Sequence, residues 1–138
     1  MKSLFYVYAA CLALTVCGCV SRSPKTSDAA GRTIGVCGSE HAASDTLRLG
    51  RLHAGETVVQ SVDILNDCDE PVVIERTECG CACLSAEMDY SPLMPHRSRT
   101  VKITFDTHGL AGRVFRRVDI HVAGRQQPCK IWIEAEVE

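Results

Sequence analysis

The residues Glu78-Cys79-Gly80-Cys81-Ala82-Cys83 place three thiols at alternate positions, a spacing that ordinary core filling does not produce. Such a cluster is suited to disulfide bonding, to holding a soft metal ion or to thiol exchange. In an extended strand, residues two apart lie about 6.6 Å from each other, near the upper limit of Cα separation for a disulfide. Cys79 and Cys81 therefore join only if the chain bends between them, and Gly80, which has no Cβ, would allow that bend. A ring of that kind would be strained and reducible. Alternatively, Cys79, Cys81 and Cys83 pair outward with Cys37, Cys68 and Cys129 and staple the fold. A third reading joins the three thiolates to Met88, Met94 or His96 from the following segment, a donor set suited to Cu(I) or Zn. The redox reading lacks its usual activating device, since no Cys-x-x-Cys opens a helix to lower a thiol pKa.

Other chemistry finds less support. His41, His53, His96, His108 and His121 could each be offered as a base for a cysteine nucleophile, but no local motif selects one, and no catalytic residue is assigned. His53 and His108 fall in turns, and His121 alternates outward on a strand, so solvated side chains account for them. There is no Gly-rich phosphate loop, and no cofactor is expected.

The compartment in which the thiols work is set by the start of the chain. Lys2 precedes an apolar run from Leu4 to Val16, followed by Cys17-Gly18-Cys19, which is the architecture of a signal peptide. A spanning helix needs roughly 20 apolar residues, and this run stops short before Ser21-Arg22-Ser23-Pro24-Lys25. Val16-Cys17-Gly18-Cys19 resembles the bacterial lipobox, in which cleavage leaves the final cysteine acylated as the first mature residue. The expectation is a signal peptide over residues 1–18 and a membrane attachment through lipidated Cys19. Two or three acyl chains make that attachment stable, each buried methylene adding about 0.8 kcal/mol of membrane affinity. The address is the bacterial cell envelope, with the outer membrane facing the periplasm or the cell surface as the expected site.

Removing residues 1–18 leaves 120 residues, enough for one domain with its own core. The formal net charge of −2 becomes −3 with Lys2 gone, and acidic and basic residues are interspersed, so no nucleic-acid partner is expected. Of nine cysteines, Cys11 and Cys17 leave with the leader and Cys19 is lipidated. The remaining six are an even set in an exported chain, which favours disulfides but allows 15 pairings.

Residues 19–44 are rich in Ser, Thr, Ala and Gly and lack a regular apolar period, so they form a flexible linker in which only Ile34, Val36 and Cys37 hint at docking. At its length the linker would let the domain sit about 25 to 30 Å from the bilayer. Period-two alternation begins after Asp45. Val101, Ile103 and Phe105 alternate with Lys102, Thr104 and Asp106, and Val114, Val118, Ile120 and Val122 alternate with Arg113, Arg117, Asp119 and His121. Leu47–Leu52, Thr57–Leu65, Pro71–Thr77 and Lys130–Val137 give further strands, separated by turn compositions such as Asn66 to Pro71 and Ser91 to His96. Cys129 shares the inward parity of Ile131 and Ile133, and Trp132 falls on the wet parity. The expected fold of residues 45–138 is all-β, an immunoglobulin-like antiparallel β-sandwich of about seven strands.

Gly50-Arg51-Leu52-His53-Ala54-Gly55-Glu56, the Asn66 to Pro71 turn leading into Val72-Val73-Ile74, Cys79-Gly80-Cys81, Val101 to Thr107 and Gly109-Leu110-Ala111-Gly112-Arg113 occur in an order that resembles domain of unknown function 1573. This is a family of exported bacterial proteins, often lipoproteins. The resemblance covers Leu49 to Val137 and implies an immunoglobulin-like sandwich with a role in the envelope, without a reaction. Cys68, Cys83 and Cys129 look like additions to the family pattern, and His96-Arg97 stands where the family tends to have a Gly-containing turn. Together these residues lead to the expectation of a noncovalent binding or assembly module with an envelope protein or glycan as partner. The opposing expectation is a thiol-redox or copper-binding protein that uses Cys79-Gly80-Cys81-Ala82-Cys83.

Overall fold

A computed structural model describes residues 32–36 and 44–138 of the chain. The expected leader, Cys19, Cys37 and His41 lie outside the described residues. The described residues form eight strands: β1 (Thr33–Gly35), β2 (Ser44–Leu52), β3 (Thr57–Leu65), β4 (Ile74–Cys79), β5 (Leu84–Glu87), β6 (Ser98–Asp106), β7 (Gly112–Val122) and β8 (Cys129–Val137). They build two four-stranded sheets, with strand orders β1-β3-β6-β5 and β2-β8-β7-β4. The all-β sandwich expected from the alternation is what forms.

Two features differ from expectation. The sheets are mixed, because β1 runs parallel to β3 and β2 parallel to β8. Alternation reports which face a residue takes but says nothing about the direction of the neighbouring strand. In addition, the folded unit reaches back into the expected linker: Ile34 and Val36 are buried, and β1 extends the β3 edge instead of remaining part of a tether. A three-residue strand is too short for alternation to reveal, and β5 escapes for the same reason.

The inner faces meet in one apolar core. Val58, Val62 and Ile64 of β3 and Val101, Ile103 and Phe105 of β6 face Val114, Val118, Ile120 and Val122 of β7 and Ile131, Ile133, Ala135 and Val137 of β8. Trp132 stays on the outer face, as its parity requires. Two bulges rescue positions that strict alternation would misplace. Leu47 and Leu52 are an odd number of residues apart yet both buried, because the β2–β8 register slips between Arg48 and Gly50, where Gly50 takes φ 72°. The β4–β7 register slips between Ile74 and Arg76. Ile74 is therefore buried at one end of β4 while Cys79, also an odd number of residues away, packs against the same core at the other.

The Asn66 to Pro71 turn is organised by Asn66 itself, whose side chain is wholly buried. Its amide nitrogen donates to the carbonyls of Glu70 (2.8 Å) and Leu93 (2.9 Å), and its side-chain oxygen accepts from the Cys68 N–H (3.0 Å). Its backbone is tied to the neighbouring loop, donating to the Arg97 carbonyl and accepting from the His96 N–H. His96 is the one described residue other than glycine with positive φ, at 56°. A side chain in that left-handed region costs roughly 1 kcal/mol, and the exposed contact of His96 with Asp69 at 3.5 Å returns little. His96→Gly is accordingly expected to stabilise the domain by about 0.5 to 1 kcal/mol, read as an upward shift of the urea midpoint at unchanged slope. A midpoint that falls would show that the Asp69 contact outweighs the backbone term.

Candidate functional site

The cysteine segment is the crossover between the two sheets. β4 lies at the edge of one sheet and β5 at the edge of the other, and Gly80 to Cys83 carries the chain between them. Three backbone hydrogen bonds hold the crossover: the Gly80 N–H donates to the Arg117 carbonyl (2.8 Å), the Leu84 N–H to the Cys81 carbonyl (3.2 Å) and the Asp106 N–H to the Cys83 carbonyl (2.9 Å). The chain bends from Gly80, whose N–H still bonds to β7, and turns at Ala82-Cys83. The disulfide closes across that turn, between Cys81 and Cys83, with a Cα separation of 5.2 Å. That is shorter than extended chain allows and well inside the range for a bridge.

Both expectations for the cluster are thereby corrected. The chain does bend at Gly80, but Cys79 stays a free thiol, and Cys81 and Cys83 pair with each other instead of reaching outward. Gly80 serves another purpose: a Cβ there would stand 3.2 Å from the Arg117 carbonyl oxygen, so the absence of a side chain is what lets the crossover lie against β7.

Cys79 is a free thiol, half-buried at the end of β4. Burial pushes its pKa up, and a hydrogen bond from the Ala86 N–H works in the opposite direction. That hydrogen bond ties the last residue of β4 to β5 across the crossover. Cys129 is also free, fully in the core opposite Ile120, and burial likewise raises its pKa. Its inward parity holds, but the expected pairing does not. Cys68 is disulfide-bonded.

The proposed metal donors do not assemble. Cys81 and Cys83 are oxidised to each other, Met88 packs against the core, Met94 is exposed and His96 faces Asp69. Among the described residues, no three His, Cys, Asp or Glu side chains converge on a point that could hold a metal ion. His53, His96 and His108 are exposed as expected. His121 is half-buried, with Nε2 3.3 Å from a Glu78 carboxylate oxygen. The Glu78 carboxyl is held below its usual range, first by Arg76 and then by His121.

A family model for a protein of unknown function (DUF1573) matches residues 41–137, most of the chain and all of β2 to β8. The chain belongs to the DUF1573 family. No curated protein matches the sequence. Among solved structures, a protein of unknown function from Porphyromonas gingivalis W83 superposes with a TM-score of 0.58 at 22% identity, over 67% of this chain and 44% of that one. The VesB protease of Vibrio cholerae gives a TM-score of 0.57 at 17% identity, over 67% of this chain and 30% of the protease. The secreted serine protease VesC from the same organism gives 0.53 at 11% identity, over 65% and 21% respectively. The chain thus spans less than half of each of these proteins, and the likeness is one of fold.

This DUF1573 domain also carries a surface that alternation alone did not single out. On the outer face of the β2-β8-β7-β4 sheet, Trp132 and Phe115 stand 36% and 49% exposed. Arg117 lies over the Trp132 ring at 5.5 Å and Arg113 over the Phe115 ring at 4.9 Å, both close enough for cation–π attraction. Arg113 donates to Glu134 at 2.6 Å and Arg48 approaches the same carboxylate at 3.4 Å, which keeps the Glu134 carboxyl below its usual range. A shallow depression of about 200 Å³ opens beside the β2 bulge, lined in part by Arg48, Arg51, Arg113 and Glu136. Register explains the grouping: Trp132 pairs with Arg117, Glu134 with Phe115 and Glu136 with Arg113, so aromatic and charged residues alternate across strands. The signal in sequence was the outward parity of Trp132 combined with the arginines of Arg113-Val114-Phe115-Arg116-Arg117.

Proposed function

We propose that this DUF1573 protein is a noncovalent binding module of the bacterial cell envelope, held to the membrane by acylated Cys19 and carrying out no reaction of its own. The observation that supports this best is the pair of exposed aromatic rings, each under an arginine, on one sheet face. Trp and Arg are the residues that most often dominate binding energy when a partner covers them. Nothing in the core needs these rings on the surface, since the inner faces are already filled by aliphatic side chains. The two flanking strands, β2 and β4, offer edges that a partner strand could extend. In this reading the lipid sets the location, in the outer membrane facing the periplasm or the cell surface, and the sheet face sets the partner, an envelope protein or glycan.

The test places a photo-crosslinking side chain at Glu136, beside the aromatic pair, and a second one at Lys102 on the outer face of the other sheet, in cells expressing the full chain. A discrete adduct from Glu136 that disappears with Trp132→Ala and Phe115→Ala, with none from Lys102, is the expected result. Protease digestion against glycan digestion of the adduct then distinguishes the two partner classes. Equal adducts from both faces, or none from either, would remove the reading.

A further inference from the structure

The three cysteines of the crossover hold one thiol and one disulfide within five residues, and the proposed binding face makes no use of them. All three are half-buried and pack against the same edge of the core. The β4 bulge turns Cys79 inward, and its sulfur accepts from Ala86, a residue of the strand that begins immediately after Cys83. The thiol and the bridge therefore bracket one turn. One residue separates Cys79 from Cys81, as one residue separates the bonded pair, and Ala82 at the apex is exposed.

We propose that Cys79, Cys81 and Cys83 form a redox-neutral thiol–disulfide exchange unit, in which the bridge moves between Cys81–Cys83 and Cys79–Cys81. The Cys79 thiolate attacks the Cys81 sulfur. A Cys79–Cys81 bond forms, the Cys81–Cys83 bond breaks, and the electron pair leaves on Cys83, which takes up the proton that Cys79 released. One thiol and one disulfide are present before and after, so the step requires neither oxidant nor reductant. Its consequence is that the reactive sulfur is delivered from the β4 end of the crossover to the β5 end, where an external disulfide of a partner could meet it. The bridge rests at Cys81–Cys83, and burial, by raising the Cys79 pKa, slows the attack. Cys83 supplies the third sulfur that the exchange needs.

The experiment is N-ethylmaleimide trapping of the native full chain, purified without reductant, over pulses of increasing length, with tandem mass spectrometry locating the label within residues 79–83. One label per molecule on the cluster is expected, at Cys79 in some molecules and at Cys83 in others. Label confined to Cys79 at every pulse length would overturn the proposal. Cys83→Ser provides the independent arm: treated with oxidised glutathione, the folded variant should close an intramolecular Cys79–Cys81 bridge. A persistent dithiol, a glutathione adduct or an intermolecular dimer would show that the two sulfurs cannot meet, and would overturn it as well.

Discussion

Asn66→Ala is expected to destabilise the domain by about 3 kcal/mol or more, and to lower its melting temperature by about 12 to 24 °C. The side chain is fully buried and satisfies three backbone groups: the carbonyls of Glu70 and Leu93 and the N–H of Cys68. Alanine would leave the Glu70 carbonyl and the Cys68 N–H without this partner and the Leu93 carbonyl with the Val72 N–H alone, and each unsatisfied buried group costs about 1 to 3 kcal/mol. The effect should reach beyond the turn, because the backbone of Asn66 also anchors the loop through His96 and Arg97. Asn66→Asp is expected to do no better: one carboxylate oxygen still accepts from Cys68, but the other stands where the amide nitrogen donated to the Glu70 and Leu93 carbonyls. Urea unfolding of the three proteins side by side decides the matter, and a loss below about 1 kcal/mol for alanine would mean that the loop can re-pair its own backbone.

Phe105→Ala should cost about 3 to 5 kcal/mol, the range for emptying an aromatic site in a packed core. Phe105 is 1% exposed and is the largest of the fully buried side chains. It also has a particular position, pairing in register with Leu84, the first residue after the cysteine bridge, while Asp106 next to it holds the Cys83 carbonyl. The cavity would therefore open under the crossover itself. Faster maleimide labelling of Cys79 than in wild type, under conditions where both proteins remain folded, is the expected second readout. Ile133→Val, at a fully buried site on the opposite sheet, supplies the control, with a loss of about 0.5 to 1.5 kcal/mol and unchanged labelling. Equal labelling rates for Phe105→Ala and wild type would show that the crossover is held by its backbone hydrogen bonds alone.

How much of this was legible beforehand varies with the length scale of the signal. Long strands such as Val101 to Phe105 and Lys130 to Val137 announce themselves because many residues repeat the same alternation, and their inward and outward sides follow at once. Short strands cannot repeat, which is why β1 was absorbed into a tether and β5 went unmarked. Bulges are invisible to alternation by construction, since they shift its phase, and the bulge after Ile74 decides which way Cys79 points. The cysteine cluster was recognised as a site, but its pairing was not. Gly80 pointed to a bend, and the chain does bend there, but the tighter turn that follows at Ala82-Cys83 brings Cys83, not Cys79, to Cys81. The Asn66 turn was visible by composition, while its role as a buried hub depends on Leu93, 27 residues away, which no local pattern encodes.

The burial of Cys129 bears on how the chain matures. In the native core its thiol is free and kept from solvent, whereas an unfolded chain in an oxidising compartment would offer it to every open or exchangeable cysteine. Packing of β8 against β7 is what withdraws it from that competition. A chain whose last strand has not docked would thus hold one more exchangeable thiol than the folded domain exposes.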